Sequence, residues 1–445
     1  MPTSLSTDFY EVLMVAGYQA LGKDEPACFE LSLRELPSSR GYAVAAGLEQ
    51  VLDYLEELKF NRDEIDYLRQ LPVLASAPDS FFDEYFPEFR FRGEVWAIPE
   101  GQVVFGMEPL LQVIGSLPEA QLIETTLLSV VLFQSMIATK ARRIVDAAAG
   151  RPVMEFGARR AHGAEAGKLG ARAGFIGGCS GSSQLECGMD YGIPVSGTMA
   201  HSWVLAHETE RDAFHRYSEL YGKTSVLLVD TYDTLKAVRM IVSEELVPSA
   251  IRLDSGDLAQ LSRESRRLLD AGGKQEVKII ASGDLDEYRI SDLIAANAPI
   301  DAFGVGAALS ASPDAASLSG VYKLVEVVRN GRPLPRAKYS SKKATWPGRK
   351  QVWRVYRDDY AAYDVLSLFD EPPPKGGVPL LECVMKDGQR VKPVESVRTV
   401  QERCRKSVEA LKKGVRSFHY PDRFDVRLSD GLAELNRMIK RSSVD

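Results

Sequence analysis

Residues 153–163 read VMEFGARRAHG, a short strand-like run that breaks at Gly157 into two adjacent arginines, Arg159 and Arg160, with His162 just beyond. Clustered guanidinium groups recognise carboxylate or phosphate through paired N–H donors. The same pattern, an apolar run ending in charge or glycine, recurs along the middle of the chain. GTMAHSW places His201 beside small residues. SVLLVDTYD ends in Asp230 and Asp233, AIRLDSGD in Arg252, Asp254 and Asp257, VKIIASGD in Ser282, Gly283 and Asp284, and DAFGVG in Gly304 and Gly306. Glycine-rich turns let backbone amides approach phosphate oxygens, and several carboxylates suit a Mg²⁺ ion that keeps part of its water. Jointly these residue types describe a site for a magnesium-bound phosphosugar, with transfer at a sugar or phosphoryl centre.

Each element also has a plainer reading. An Asp after a strand is often only a helix N-cap, and Ser255 or Asp257 before LAQLSRESRRLL fits that role equally well. A lone histidine such as His162 ordinarily serves as a structural hydrogen bonder, Phe156 taken alone reads as core, and the basic run from Lys338 to Lys350 reads as a solvated loop.

The elements that position these residues follow from periodicity. From about 153 to 327, short apolar runs (VMEF, GFIGG, IPVSGTMA, SVLLVD, AIRLD, VKIIAS, DAFGVG and VYKLVEV) alternate with amphipathic stretches such as TLKAVRMIV, LAQLSRESRRLLDAGG and DEYRISDLIAANA. Strand then helix, repeated, predicts a parallel sheet. Seven or eight such units favour a closed (β/α) barrel, whose chemistry collects on the loops after the strands. A GxGxxG turn, the mark of a dinucleotide-binding sheet, is absent. Upstream, VLDYLEELKF and NRDEIDYLRQL have helical spacing, while FRFRGEVWAIPEGQVVFGMEPLLQVIG reads as a meander of strands. TTLLSVVLFQSMIATKARRIVDAAAG reads as one long helix stopped by Gly150 and Pro152. Downstream, VLSLFDEPPPKGG has the composition of a linker and ESVRTVQERCRKSVEALKKGV that of a polar amphipathic helix. The predicted division is 1–125, an N-terminal α/β part; 126–335, the barrel; and 336–445, a C-terminal segment completing the small domain.

Composition sets the outer bounds. A chain of 445 residues has room for two or three domains. Apolar content of 45% and charged content of 26% are ordinary for a soluble globular protein, and a net charge of −7 argues against nucleic acid as a general partner. Five scattered cysteines with no CxxC pair support neither a disulfide framework nor a zinc site. Asp8 and Glu11 stand where a signal peptide would be basic, and the apolar run near Leu127–Phe133 is too short to span a membrane. A cytoplasmic setting, with no membrane partner, is the expectation.

Taken in order, TDFYEVLMVAGY, EFGARRAHG, GTMAHSW, LVDTYDT, IRLDSGDL, ASGDLDEY, DAFGVG and KATWPGRKQVWR resemble the motifs of the nicotinate phosphoribosyltransferase family, from Thr7 to about Arg354. The resemblance implies a type II phosphoribosyltransferase fold, an irregular α/β barrel with an α/β sandwich domain built from both chain ends. It implies condensation of nicotinate with phosphoribosyl pyrophosphate to nicotinate mononucleotide and pyrophosphate, coupled to ATP hydrolysis, with Mg²⁺ as cofactor. By the same resemblance His201 is the histidine that ATP phosphorylates, and Asp230, Asp254 and Asp284 lie near the ribose and the developing cation, the last two as metal ligands. Phe156 stacks the pyridine ring, and Tyr10 closes its other face from a second subunit, which makes a homodimer the expected assembly. Arg159, Ser180 and Arg252 face nicotinate. Arg160, Ser282, Gly283, Gly304, Gly306, Lys323 and Lys342 face phosphate.

Two departures from the family pattern stand out. GGCSGSS has Ser180 where relatives often carry an acid, which favours the anionic base over nicotinamide. In DAFGVGAAL, Ala307 replaces a common hydroxyl residue, leaving only backbone donors there. The rival readings are nicotinamide phosphoribosyltransferase and, from another class, a non-catalytic phosphosugar-binding sensor that would have no need of His201.

Overall fold

The computed structural model describes residues 2–339 and 345–442, and the chain separates into two compact units: residues 2–136 with 317–442, and residues 137–316. The division falls inside the long helix Glu124–Ala147, which the sequence predicts as one element.

The first unit is built from both ends of the chain. The strand Pro26–Leu33 lies between Pro109–Ser116, the central strand of a seven-stranded sheet, and Gly320–Arg329, antiparallel to both. Its inner side is apolar: Leu31 and Val113 are fully buried, and Phe29 stacks on Tyr322 at 5.1 Å. VYKLVEV therefore forms a strand as expected but not in the parallel sheet, since its partner is the N-terminal strand. A four-stranded sheet joins Lys350–Arg357, Tyr360–Leu368, Gly377–Pro379 and Val426–Leu428. VLSL thus ends a strand, and only the residues after it connect elements.

The second unit holds the parallel sheet. Its six strands run in the order Gly181–Ser182, Val153–Glu155, Ala302–Val305, Lys278–Ala281, Ala250–Leu253, Val226–Leu228, every pair parallel. Among the described residues the outermost two are not paired to each other, so the strands form an open ladder and the expected closed barrel is not seen. Besides VYKLVEV, two expected strands are absent from it. GFIGG is the last turn of the helix Ala164–Ile176, where Gly174 faces the sheet closely enough that a Cβ would sit 3.4 Å from the Glu155 side chain. IPVSGTMA contributes only an isolated bridge, Ser182 to Val195. A short apolar run looks the same whether it ends a buried helix or forms a strand, and here helix packing decided. The predicted helices Thr234–Ser243, Leu258–Ala271 and Glu287–Ala295 cross between strands, capped by Asp233, Asp257 and Asp286, each accepting a bond from a backbone amide of the first turn. No helix among the described residues is long and apolar enough to cross a membrane.

Candidate active site

Parallel strands deliver their last residues to one edge of the sheet, and that edge collects the chemistry of the second unit. Asp230 follows Val226–Leu228, Asp254 follows Ala250–Leu253, and Ser282, Gly283 and Asp284 follow Lys278–Ala281. His201 opens the short helix His201–Leu205 after the extended residue Ala200.

Three of these side chains converge. The Nε2 atom of His201 is 3.9 Å from Asp230 Oδ1 and 4.0 Å from Asp254 Oδ2, and its Nδ1 is 3.1 Å from the Thr231 hydroxyl. The imidazole is held by its far nitrogen and turns its near one to the carboxylates, with 42% of the side chain open to solvent. The side chain of Asp230 is only 3% exposed. Its Oδ2 accepts the Ser255 hydroxyl at 2.6 Å and the Asp254 amide at 3.2 Å. Asp257 is thus the helix cap, whereas Ser255 supports Asp230.

Arg252 binds this centre together. Its Nε donates to Ser282 at 3.0 Å, its Nη2 to Asp254 Oδ1 at 3.2 Å, and its Nη1 to the Thr198 hydroxyl. The Ser282 hydroxyl in turn donates to Asp254. Burial works to raise the Asp254 carboxyl, but the Ser282 bond, the Arg252 charge and His201 outweigh it and hold the group below the usual carboxylate range. The acid is therefore an anion wherever the protein is folded near neutral pH.

The backbone after Lys278–Ala281 is shaped for close approach. Gly283 has φ +88° and Asp284 φ +48°, both left-handed, and a Cβ on Gly283 would lie 1.8 Å from the Asp254 carbonyl oxygen. Only glycine fits that crossing. Asp284 itself is exposed.

Beside Ser282, Gly304 lies within the neighbouring strand Ala302–Val305, and a Cβ there would meet the Phe156 ring at 2.5 Å and the Ser282 Cβ at 3.4 Å. Its bare Cα thereby seats the ring, which remains half-exposed. Gly306 begins the short segment Ala307–Ala311. Arg159 and Arg160 are exposed on a single turn, Ala158–Arg160. Ser180 is exposed, its amide bonded to the Val153 carbonyl. Beneath both loops lies Glu155, 2% exposed, which accepts the Gly157 amide through Oε1 and the Ser182 hydroxyl through Oε2.

Tyr10 and Lys323 belong to the first unit. Tyr10 is 46% exposed on the helix Phe9–Ala20, and burial of its base with Glu124 and Glu11 nearby pushes its phenol up. Lys323 Nζ is 3.4 Å from Glu124. Lys342 lies outside the described residues.

Asp230 Oδ1 is buried without a hydrogen-bond partner, and Asp254 Oδ2 lies on the same side of the imidazole. Hard carboxylate oxygens of this kind suit Mg²⁺, which takes one or two from protein and the rest from water and phosphate. Among the described residues no group of three or more His, Cys, Asp or Glu forms a protein cage for a metal. Thr198, Thr231, Ser255, Glu155 and Ser182 were not expected as site residues; all five lie inside the quoted stretches, but the side chains they bond are distant in sequence.

Family models match most of the chain. Residues 5–132 match the nicotinate phosphoribosyltransferase N-terminal domain, 152–347 the nicotinate phosphoribosyltransferase family, and 377–436 the C-terminal domain. The chain is 42% identical over 444 residues to the Mycobacterium tuberculosis protein named nicotinate phosphoribosyltransferase pncB2, covering 97% of this chain and 94% of that one. It is 42% identical over 380 residues to the Bacillus subtilis nicotinate phosphoribosyltransferase, covering 83% and 76%. Its fold is similar to the crystal structure of human nicotinic acid phosphoribosyltransferase, with a TM-score of 0.86 at 27% identity over 97% of this chain and 99% of that chain.

Proposed function

This chain belongs to the nicotinate phosphoribosyltransferase family, and from that premise we propose how its residues perform the reaction of nicotinate with phosphoribosyl pyrophosphate to give nicotinate mononucleotide and pyrophosphate. The pyridine nitrogen supplies the electron pair for the new bond to the ribose anomeric carbon, and the bond to pyrophosphate breaks with its pair. Positive charge develops on the ribose and negative charge on the leaving group, so fixed carboxylates are needed beside one and fixed N–H donors beside the other.

The observation that carries this reading is the convergence of His201, Asp230 and Asp254, with Arg252 and Ser282 locking the last of these in place. Asp230, Asp254 and Asp284 face the ribose, with Asp254 and Asp284 as the protein ligands of Mg²⁺. Bound there, Mg²⁺ would neutralise pyrophosphate charge. Ser282, Arg160 and the amides at Gly283, Gly304 and Gly306 receive phosphate oxygens, as do Lys323 and Lys342. Phe156 takes one face of nicotinate and Tyr10 the other, from a second subunit of a cytoplasmic homodimer, while Arg159, Ser180 and Arg252 receive the carboxylate. The open ladder of parallel strands is then part of an irregular barrel.

A ring nitrogen of His201 takes the terminal phosphoryl group of ATP, ADP leaving with the electron pair of the broken bond, and hydrolysis of that phosphohistidine to inorganic phosphate drives the condensation. The half-exposed imidazole, anchored at Nδ1 by Thr231, supports this assignment.

The deciding experiment incubates the protein with phosphoribosyl pyrophosphate, Mg²⁺ and either nicotinate or nicotinamide, with and without ATP, and identifies the mononucleotide. Formation of nicotinate mononucleotide with ATP stimulation is expected; absence of any mononucleotide refutes the reading. Ser180→Asp should shift preference toward nicotinamide.

A further inference from the structure

A second group of charges in the same unit lies away from His201 and is almost wholly buried. The ammonium of Lys140, on the helix Glu124–Ala147, is 2.6 Å from Glu287 Oε2 and 2.7 Å from Asp314 Oδ1. Arg143, one turn further along, donates from Nε to Glu287 Oε1 at 2.9 Å and from Nη2 to the Tyr288 hydroxyl at 3.3 Å. The side chains of Lys140 and Arg143 are each 2% exposed and that of Glu287 is fully buried. Two cations thus meet two anions in a dry environment.

The positions of the two anions matter more than their energy. Glu287 opens the helix that follows Ser282, Gly283 and Asp284. Asp314 lies in the turn Pro313–Ala315, just beyond the segment Ala307–Ala311 that Gly306 begins. Each loop contains a non-glycine residue in the left-handed region, Asp284 at φ +48° and Ser312 at φ +43°, three and two residues from its anion. Such conformations persist only where the surroundings over-determine them. One buried ammonium grips both loops from below, so displacement of either is resisted by the other.

We propose that Lys140 is a positioning residue that couples these two loops through Glu287 and Asp314, setting the spacing of the donors that receive the phosphoribosyl phosphates. The use made of the clamp rests on the functional reading above; the clamp itself does not. Lys140 reaches no substrate. It acts by keeping the Ser282–Asp284 turn and the Gly306 turn in one register, and a misplacement of about 1 Å in such a site can cost roughly 10²-fold in rate.

The test uses the full chain carrying Lys140→Met or Asp314→Asn. Asp314 is 19% exposed, so its variant keeps the fold testable if removing Lys140 prevents folding. Amide hydrogen exchange without substrate reads the clamp: in Asp314→Asn, exchange should quicken about tenfold around residues 282–287 as well as around 312–316, because Lys140 links them. Steady-state kinetics reads its use: KM for phosphoribosyl pyrophosphate should rise about tenfold or more while KM for nicotinate stays within twofold, a split that general loosening would not produce. Exchange confined to 312–316 overturns the coupling, and altered exchange with an unchanged KM for phosphoribosyl pyrophosphate overturns its role. Failure of the functional reading is recognised separately, in wild type that makes no mononucleotide.

Discussion

Asp230 Oδ1 faces His201 Nε2 at 3.9 Å and has no hydrogen-bond partner, although the carboxylate is nearly sealed from solvent. A buried acceptor left unbonded costs free energy, so the pair is arranged for a state in which a charged or hydrogen-bonding group comes between or onto these atoms. Protonation or phosphorylation of the imidazole would provide one. His201→Ala should leave a basal condensation that added ATP no longer stimulates. Asp230→Asn should lower the ATP-coupled rate roughly 10²–10⁴-fold, the span of a lost proton-handling partner. Counting ATP hydrolysed per mononucleotide formed checks both, and full coupling in His201→Ala contradicts the assignment.

Gly283→Ala should be far more damaging than an alanine at another left-handed glycine. Gly283 has the Asp254 carbonyl oxygen 1.8 Å from where a Cβ would stand, whereas Gly273, at φ +71°, has nothing within 4 Å. Gly273→Ala carries only the conformational penalty, about 1–2 kcal/mol. Gly283→Ala adds a backbone collision that pushes the Asp254 and Asp284 loops apart, and most activity should go with it. Thermal melts and turnover of the two variants, side by side, separate strain from collision; equal losses would speak against the crossing.

Much of the site was legible because its residues follow short β-branched runs, where a parallel sheet must expose them: Asp230 after VLLV, Asp254 after IRL and Ser282 after IIA are where periodicity puts them. What holds them was not legible. Thr198 meets Arg252 across 54 residues, Thr231 meets His201 across 30, and Arg143 meets Glu287 across 144. No local pattern encodes such pairs; they arise from helix and strand packing. The same limit hid the partner of VYKLVEV, whose apolar alternation suits any sheet, and it made GFIGG look like a strand when its small residues in fact let a helix lie against Glu155.

Glu155 should separate shape from charge. Its two oxygens accept the Gly157 amide and the Ser182 hydroxyl, tying the turn of Arg159 and Arg160 to the turn after Ser180. Burial raises its carboxyl, and those two donors only partly offset it. Glu155→Gln keeps an acceptor for Gly157, and the Ser182 hydroxyl can rotate to accept from the new amide, so stability and nicotinate KM should change little. Glu155→Ala leaves both donors unbonded at a cost of about 1–3 kcal/mol and should raise nicotinate KM about tenfold as the loops drift. Urea titration and initial rates read the two effects, and indistinguishable variants would remove Glu155 from this role.

Glu11 gives the protein a stability that depends on pH in a defined direction. The residue sits fully buried in the first turn of the helix Phe9–Ala20, bonded by the hydroxyls of Thr7 and Thr125. Burial raises its carboxyl, the two hydroxyls pull it back, and Glu124 pushes it up again, leaving it at about 7 against an ordinary 4.5. Between those values the folded chain keeps a proton that the unfolded chain has lost, so stability falls as pH rises through this window and is lowest above it. A shift of this size corresponds to roughly 3 kcal/mol before solvent screening, and about 2 kcal/mol is a fair expectation after it. Glu11→Gln cannot ionise and keeps both threonine contacts. At pH 8 it should therefore be more stable than wild type by about that amount, and near pH 4.5 the two should agree. Urea denaturation across the range measures the difference, and profiles that run parallel throughout would show that Glu11 is ionised in the folded chain at no cost.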